Sequence, residues 1–491
     1  MKLTEESLAR LPRAVKGPDY DRSKLSTGIV HFGVGGFHRA HQAMYLDTLM
    51  GAGLAQDWAI CGVGVLPHDA AMNTVMKEQD CLYTLVLKYP DGTREARVIG
   101  SIIEYLFAPE DPEAVIEKLA APATRIVSLT ITEGGYNISD TTGEFDAGSP
   151  PVAADLQPGA VPATVFGLVT EALRRRRERG LAPFTIMSCD NIPGNGEVAR
   201  KAFAGFAALR DPELGEWVAR NVRFPSSMVD RITPVTTDAD REQLAGEFGV
   251  EDAWPVVAED FAQWALEDSF SQGRPPWEEA GVSVTADVEP FERMKLRLLN
   301  CGHQGLAYLG YLAGYRYVHD AVRDPEMAQF LLEYMDREAT PTLLPVPGVD
   351  LTAYKRRLLE RFGNEYVRDT LARLCAESSD RIPKWLVPVV RDNLAAGGEV
   401  SRSAAIVAAW ARYAEGTDEA GAPITVVDNR REEVMAAAAR NRRDPLAFIS
   451  QPDFFGDLAA DQRFSEAYLR TLQTLHDAGA KAALRESSAL R

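Results

Sequence analysis

The sequence predicts an α/β N-terminal domain followed by a mostly α-helical C-terminal domain. Three observations carry that prediction. Up to about residue 285, short apolar runs alternate with helical stretches, the pattern that builds a parallel sheet covered by helices. The first of these runs opens directly into a glycine loop, Gly33-Val-Gly-Gly36, and then into a helix. Beyond Lys295 the apolar residues recur at helical spacing instead. The junction is set past the Pro-rich stretch Gly273-Arg-Pro-Pro-Trp277 and the run Val282-Ser-Val284, which gives domains of residues 1–285 and 286–491. A chain of 491 residues is long enough for sizeable cores in both.

The elements follow in order. Thr27-Gly-Ile-Val-His-Phe32, Trp58-Ala-Ile-Cys-Gly-Val-Gly-Val65, Arg125-Ile-Val-Ser-Leu-Thr-Ile-Thr132 and Pro183-Phe-Thr-Ile-Met-Ser188 read as buried strands. Residues 140–162, rich in Gly, Pro and Asp, read as a surface loop. The apolar stretch 165–173 runs into Arg174-Arg-Arg-Arg177 before Gly180, which predicts the exposed last turns of a helix, where cations suit the dipole. A phosphate-binding patch is the alternative. Helices are expected at 326–338, 351–362, 402–413 and 465–478.

Composition excludes several classes of function. Hydrophobic residues make up 46% and charged residues 25%, as in an ordinary globular protein. The net charge of −18 argues against nucleic acid and anionic membrane surfaces as partners. No apolar run approaches the ~20 residues a membrane helix needs, and the first residues lack the apolar core of a secretory leader. The five cysteines are scattered and odd in number, which predicts reduced thiols in the cytoplasm. Oligomeric state stays open, and a monomer would suffice.

The glycine loop suits a dinucleotide site. Gly33, Gly35 and Gly36, followed by Phe37, would let the backbone approach a pyrophosphate at a helix start, which makes the first domain Rossmann-type. The third Gly or Ala of the usual pattern is absent, and His38 stands there. Glu133, at the carboxyl end of a predicted strand where such sheets place ligands, is either a proton relay beside the cofactor or a loop carboxylate.

The stretch from Met294 to Gly305 carries the chemistry. On an α-helix at ~100° per residue, Lys295, His303 and Asn300 fall at about 0°, 80° and 140°, on one side. An amine that takes a hydroxyl proton, with neutral donors that hold the resulting alkoxide, is what carbonyl/alcohol redox chemistry needs when no metal is used. Cys301, beside these residues, is a candidate oxidation-sensitive bystander. A zinc enzyme would need a ligand set. The seven histidines and five cysteines show no such grouping beyond His31, His38 and His41 around the glycine loop, so no metal is expected. The Tyr-x-x-x-Lys of short-chain enzymes occurs only at Tyr20-Asp-Arg-Ser-Lys24, ahead of the first strand.

Lys295, Asn300 and His303 stand together with four further segments: Gly33-Val-Gly-Gly-Phe-His-Arg-Ala-His41, Ser128-Leu-Thr-Ile-Thr-Glu-Gly-Gly-Tyr136, Ser188-Cys-Asp-Asn-Ile192 and Phe224-Pro-Ser-Ser-Met-Val-Asp-Arg-Ile-Thr233. In this order they resemble the polyol-specific long-chain dehydrogenase family, over most of the chain. Cys301-Gly302 depart from the family's more usual Gly-Ser. The resemblance implies oxidation of a polyol by NAD, with D-mannitol giving D-fructose reversibly and the substrate held between the domains. It makes Lys295 the base, Asn191 and Asn300 the cradle of the reacting oxygen, and His303 the partner of a neighbouring hydroxyl.

The same resemblance places Asp230 and Arg373 near the substrate, with Arg381 where some relatives carry Lys. Asp230-Arg231 could equally be a structural ion pair. Asp69 would take the adenine ribose hydroxyls or only cap the helix that starts at Ala70. No Arg or Lys lies between Trp58 and Met76, which favours NAD over NADP. A hexuronate reductase of the same family is the close rival, since Arg373 and Arg381 could fork a carboxylate. Gly62-Val-Gly64 and Pro345-Val-Pro-Gly348 look more like the polyol members. A non-catalytic NAD-sensing module is the rival from another class, but it would have no use for Lys295, Asn300, His303 and Asn191 together. Mannitol, arabinitol and sorbitol are not separated at this level.

Overall fold

A computed structural model describes residues 1–139 and 143–489 of the chain. It divides into two compact units, Met1–Glu289 and Pro290–Arg491.

At the centre of the first unit is a five-stranded sheet. Thr27–Phe32 lies in the middle, flanked on one side by Ala59–Gly64 and then Ile102–Phe107, and on the other by Ile126–Leu129 and then Thr185–Ser188. All four pairings are parallel. In chain order this is 3-2-1-4-5, the Rossmann-type arrangement, whose ligand crevice opens at the carboxyl ends of the first and fourth strands. Ala59–Gly64, Ile126–Leu129 and Thr185–Ser188 are buried at every residue. Helices cover both faces, which is why these strands read as unbroken apolar runs. One face packs on Val115, Leu119, Leu168, Ala172 and Phe203, the other on Leu46, Met72, Met76, Trp264 and Trp277.

Two smaller sheets complete the unit, and the sequence reading anticipated neither. A mixed sheet runs in the order Val15–Lys16, Arg94–Ile99, Tyr83–Lys88, Val256–Glu259. A three-stranded sheet joins Ser283–Thr285, Gln263–Glu267 and Ser227–Asp230. Of the expected loop 140–162, residues 140–142 lie outside the described residues. The remainder is no open loop: it includes the helix Pro150–Asp155 with Val152 buried. Asp155 then turns back to accept from the Ala163 and Thr164 backbone N–H groups at 2.9 and 2.8 Å.

The arginine run also differs from expectation. Val165–Glu178 is a helix, but Arg176 in its last turn is 1% exposed. Its guanidinium donates to the carbonyls of Ala182 (2.8 Å), Leu119 (3.2 Å), Ala121 (2.7 Å) and Thr124 (3.0 Å). It thereby satisfies carbonyls left open at the end of the helix Pro112–Ala120 and in the turn behind it. Arg174 and Arg175 are held by Glu171, Glu178, Glu113 and Glu117, so the run is an ion-paired seam, not a phosphate patch.

The second unit is built of helices around one core. Ser401–Tyr413 is buried at every residue from Arg402 onward, the mark of a helix with no solvent face. Its start is held by Glu338, whose carboxylate accepts from the backbone N–H groups of Arg402 (2.6 Å) and Ser403 (2.8 Å), a favourable place for an anion. Cys301–Leu312 packs against it. Gly305 permits this, because an added Cβ would press on Ile406 Cδ1 at 3.1 Å. Gln462–Ala489 closes the unit, bending at Gly479, where φ is 81°. Among the described residues no helix is long and apolar enough to cross a membrane.

Arg176 yields the first prediction. Arg176→Met keeps the packing stem but removes the shared donor of four carbonyls. Of these, only that of Ala121 keeps a second donor among the hydrogen bonds of turns and loops, the Thr124 N–H. The change should cost the fold about 2–4 kcal/mol. The exposed neighbour change Arg177→Met should stay within about 0.5 kcal/mol. Urea melts of the two variants measure both.

Candidate active site

In the first unit, the candidate site lies along the carboxyl edge of the parallel sheet. Gly33 has φ +89°, and a Cβ there would overlap the Thr130 carbonyl oxygen, so the fold itself requires this glycine. Gly35 is different: a Cβ would meet only the Gly33 carbonyl, at 3.8 Å. Gly36 would make an ordinary contact with the Thr233 methyl at 3.5 Å. Packing therefore explains Gly33 but leaves open backbone at Gly35, which is what close approach of a pyrophosphate calls for. The helix that follows is short, Gly36–Ala40, and the chain restarts as Gln42–Gly51 after a break at His41. Phe37 stacks on His41 with centroids 4.9 Å apart.

His38 occupies the third position of the glycine pattern by stacking. Its ring lies 3.4 Å from that of His31, 14° from parallel, so the helix approaches the strand through two flat rings and needs no small residue. His31 Nδ1 is 2.8 Å from Ser128 Oγ, and its Nε2 is 3.0 Å from Thr130 Oγ1. Neither ring nitrogen of His38 has a hydrogen-bond partner among the described residues. Burial keeps both imidazoles neutral, with His31 pushed down to about 3 and His38 well below its usual range.

At the end of the second strand, Asp69 does not cap the helix Ala70–Glu78 with its side chain. Its Oδ2 accepts from the backbone N–H groups of Val65 (2.9 Å) and Leu66 (2.8 Å), and Oδ1 lies 3.7 Å from His68 Nε2. Gly64 makes room for it, since a Cβ there would press on the Asp69 Cβ at 2.7 Å. The fourth strand ends at Leu129, earlier than its apolar run suggests. The chain then passes through Thr132 into a 3-10 turn, Glu133–Tyr136. The Glu133 side chain lies outside the described residues. Asn191 follows the fifth strand, three residues after Ser188.

Asp230 ends the strand Ser227–Asp230 and is buried. Arg231 sends its guanidinium to the carbonyls of Glu259 (2.9 Å from Nη2) and Ala40 (2.6 Å from Nη1), so its buried charge is spent on backbone.

In the second unit, Lys295–Asn300 is a π-helical turn between the α-helices Glu289–Met294 and Cys301–Leu312. This corrects the α-helical projection. The Cys301 N–H reaches back five residues to the Leu296 carbonyl, so residues five apart stand about one turn apart. Asn300 is thereby brought over Lys295 instead of lying roughly 140° round the helix, and His303 follows three residues on. Lys295, Asn300 and His303 are 6%, 7% and 7% exposed. The Asn300 side-chain oxygen is buried and meets no donor among the described residues. The His303 ring rests on Phe362, centroids 4.3 Å apart.

The turn is anchored through Arg297, which donates to the Thr342 carbonyl (2.9 Å) and Asp392 Oδ2 (2.6 Å). Tyr334 donates to the Arg297 carbonyl at 3.1 Å. At Gly302 a Cβ would meet only Phe362 Cε2, at 3.9 Å, so the Cys-Gly departure changes no packing there. Cys301 is fully buried, and burial pushes its thiol up to about 12. With so little thiolate it is not the oxidation-sensitive group expected from its position.

Arg373 is forked by Asp369, with Nε to Oδ1 at 2.6 Å and Nη2 to Oδ2 at 2.5 Å. Arg381 donates to the Leu374 carbonyl at 3.2 Å, a carbonyl that also accepts from Gln304 Nε2 at 3.3 Å. Gln304, next to His303, thus joins the helix Cys301–Leu312 to the segment carrying Arg373. Sequence reasoning missed Gln304, Phe362, Asp369 and the π turn. Only Gln304 carried a signal, as a polar residue at a position flanked by buried ones. Among the described residues no group of three His, Cys, Asp or Glu could hold a metal ion.

The fold and these residues define a two-unit, dinucleotide-type oxidoreductase architecture, and comparison with known proteins places it. The Rossmann-domain model of mannitol dehydrogenase matches residues 27–279, and the C-terminal-domain model matches residues 287–476. A mannitol 2-dehydrogenase of Aspergillus fumigatus is 46% identical over 484 residues, covering 96% of each chain. Among solved structures, a Pseudomonas fluorescens mannitol 2-dehydrogenase, in ternary complex with NAD and D-mannitol, superposes with a TM-score of 0.91 at 46% identity, covering all of both chains. A substrate-free D-sorbitol dehydrogenase superposes at 0.90 with 40% identity, covering 99% of this chain and 100% of that one. The chain belongs to the mannitol dehydrogenase family.

The histidine pair yields a prediction. Unfolded, a histidine takes up its proton near 6.5, whereas His31 in the fold does so only near 3. Between those values the unfolded chain binds more protons, so stability is full above about 6.5 and is lost as pH falls toward 3. The melting temperature should drop steeply from pH 6.5 to 4.5, and His38→Phe, which keeps the ring stack, should flatten that slope. Thermal melts across the range test it.

Proposed function

We propose that the protein oxidises D-mannitol to D-fructose with NAD, reversibly and without a metal. The observation that carries the reading is the buried pair Lys295 and Asn300 on the π turn, with buried His303 in the helix that continues it, in a chain whose relatives are mannitol 2-dehydrogenases. The open backbone at Gly35 and the turn held by Asp69 fit a dinucleotide. Gly33, Gly35, Gly36 and Phe37 would line its pyrophosphate, and Asp69 would take the adenine ribose hydroxyls. Glu133 would stand on the cofactor side. NAD, when bound, supplies the acceptor for the hydride leaving C2 of the polyol. With no Arg or Lys between Trp58 and Met76 to meet a 2′-phosphate, NAD is preferred over NADP.

Lys295 Nζ takes the proton of the C2 hydroxyl as the C–H bond breaks, so the carbon loses two electrons and the proton stays on the enzyme. The side-chain amide of Asn300 holds the oxygen while it carries negative charge, and in the first unit Asn191 is a further amide donor for the substrate. Such fixed donors act most strongly where water is excluded. His303, steadied by Phe362, holds a neighbouring hydroxyl. Asp230 and Arg373 position the rest of the chain of hydroxyls.

A neutral polyol suits this site better than a hexuronate. A substrate carboxylate would call for an uncommitted arginine fork, but Arg373 is forked by Asp369 and Arg381 already gives its Nη1 to the Leu374 carbonyl. Five free, buried cysteines fit a reducing, cytoplasmic setting. A single chain supplies every residue the proposed chemistry uses.

Two experiments test the reading. NADH consumption with D-fructose and with D-fructuronate, side by side, should favour the ketose strongly. A preference for fructuronate would make the protein the hexuronate enzyme. Lys295→Ala should lower kcat by about 10²–10⁴ with NADH binding retained. In the wild type, polyol oxidation should rise with pH and ketose reduction fall, because the two directions need Lys295 in opposite protonation states. Parallel kcat/KM profiles would reduce Lys295 to a substrate-positioning group.

A further inference from the structure

Three observations at the carboxyl edge of the parallel sheet meet at Asp190, which has no part in the reaction above. Thr132 sits at φ 68° and ψ 163°, a region used almost only by glycine and an outlier for a β-branched residue. The Asp190 carboxylate grips that segment: Oδ1 accepts from the Thr132 N–H at 2.9 Å, and Oδ2 accepts from the Ile131 N–H at 3.0 Å and the Tyr136 hydroxyl at 2.7 Å. On the other side, the Thr130 hydroxyl donates to the Gly33 carbonyl at 2.6 Å. Asp190 is itself fixed, since its carbonyl accepts from Asn195 Nδ2 at 3.0 Å. Asn195 in turn clasps the Ser227 backbone in both directions, at 2.7 and 2.9 Å.

Backbone strain of this kind persists only where the surroundings over-determine it, and it gathers at functional sites. A charged acceptor taking two amides and a phenol is strong enough to do so. Asp190 adjoins Asn191, and the segment it grips carries Glu133. We propose that Asp190 is a positioning residue for the polyol reaction: its clamp on the strained Thr132 turn sets the placement of the 130–136 segment and of Asn191 together. The inference rests on the proposed polyol chemistry. Without the clamp, Thr132 relaxes to an ordinary conformation and the segment shifts.

The test is Asp190→Asn, alone and combined with Thr132→Gly, because glycine takes the Thr132 conformation without strain. Asp190→Asn should lower kcat/KM for D-mannitol about 10–100-fold, the scale of a misplacement near 1 Å, a larger loss than any change in NADH affinity. The Ile131 and Thr132 amides should lose hydrogen-exchange protection. Adding Thr132→Gly should restore most of the activity, which a merely structural aspartate would not allow. Wild-type kcat/KM in Asp190→Asn, or a folded double variant no more active than the single one, overturns the proposal. If Asp190→Asn does not fold, Tyr136→Phe removes one of the three donors; a several-fold loss reversed by Thr132→Gly supports the clamp, and no loss overturns it. If the wild type turns over neither mannitol nor fructose, the polyol reading fails. The exchange protection of Ile131 and Thr132 in the variants then decides whether Asp190 holds the turn.

Discussion

The π turn at Lys295–Asn300 is the constraint on which the chemistry of the second unit depends. A turn closed over five residues packs less well than an α-helical one and is rare without outside support. Support comes from Arg297, tied to Thr342 and Asp392, and from the Tyr334 hydroxyl on the Arg297 carbonyl. With the extra residue absorbed, Lys295 and Asn300 fall into one column with His303. An uninterrupted α-helix would swing the amide away from the amine and separate the proposed base from the proposed oxyanion donor. Among the described residues the buried Asn300 side-chain oxygen meets no donor, and as an acceptor it is open to a hydroxyl, while the amide N–H is the group that can face a negative oxygen.

The first unit shows a matching economy at the edge of its parallel sheet. Gly33 yields its Cβ space to the Thr130 carbonyl, Thr130 bonds back to Gly33, and Asp190 holds the two residues that follow. Three strand ends are thus joined by a continuous chain of side-chain-to-backbone contacts. The stack of His38 on His31 extends it into the helix. The buried neutral rings tie the stability of this edge to pH, so the same residues that shape the glycine loop make it sensitive to acid.

Much of this was legible in the chain, and the failures have physical causes. The four buried strands were visible because a strand covered on both faces must be apolar throughout. The hairpin of Tyr83–Lys88 and Arg94–Ile99 was missed although Pro90-Asp-Gly92 marks its turn, because Thr84 and Lys88 interrupt the first strand, and Arg94, Glu95 and Arg97 the second, so neither reads as an unbroken apolar run. Arg176 was read with its three neighbours as exposed, since composition cannot tell which arginine of a run turns inward to meet carbonyls. Cys301 looked reactive from its position and is inert because it is buried.

By itself, the sequence determined the two-part fold class, four strands of the central sheet, the glycine loop and the family, and it named a candidate cast for the site: Lys295, Asn300, His303, Asn191 and the residues around them. Those follow from residue types at short range, where period, turn chemistry and motif speak directly. Only the tertiary structure decided how the cast is aimed. The π turn, the fork of Asp369 on Arg373, the shared Leu374 carbonyl and the grip of Asp190 on Thr132 each join residues through space. Their energies depend on partners whose approach is set by packing of the whole unit, and no local pattern encodes that approach.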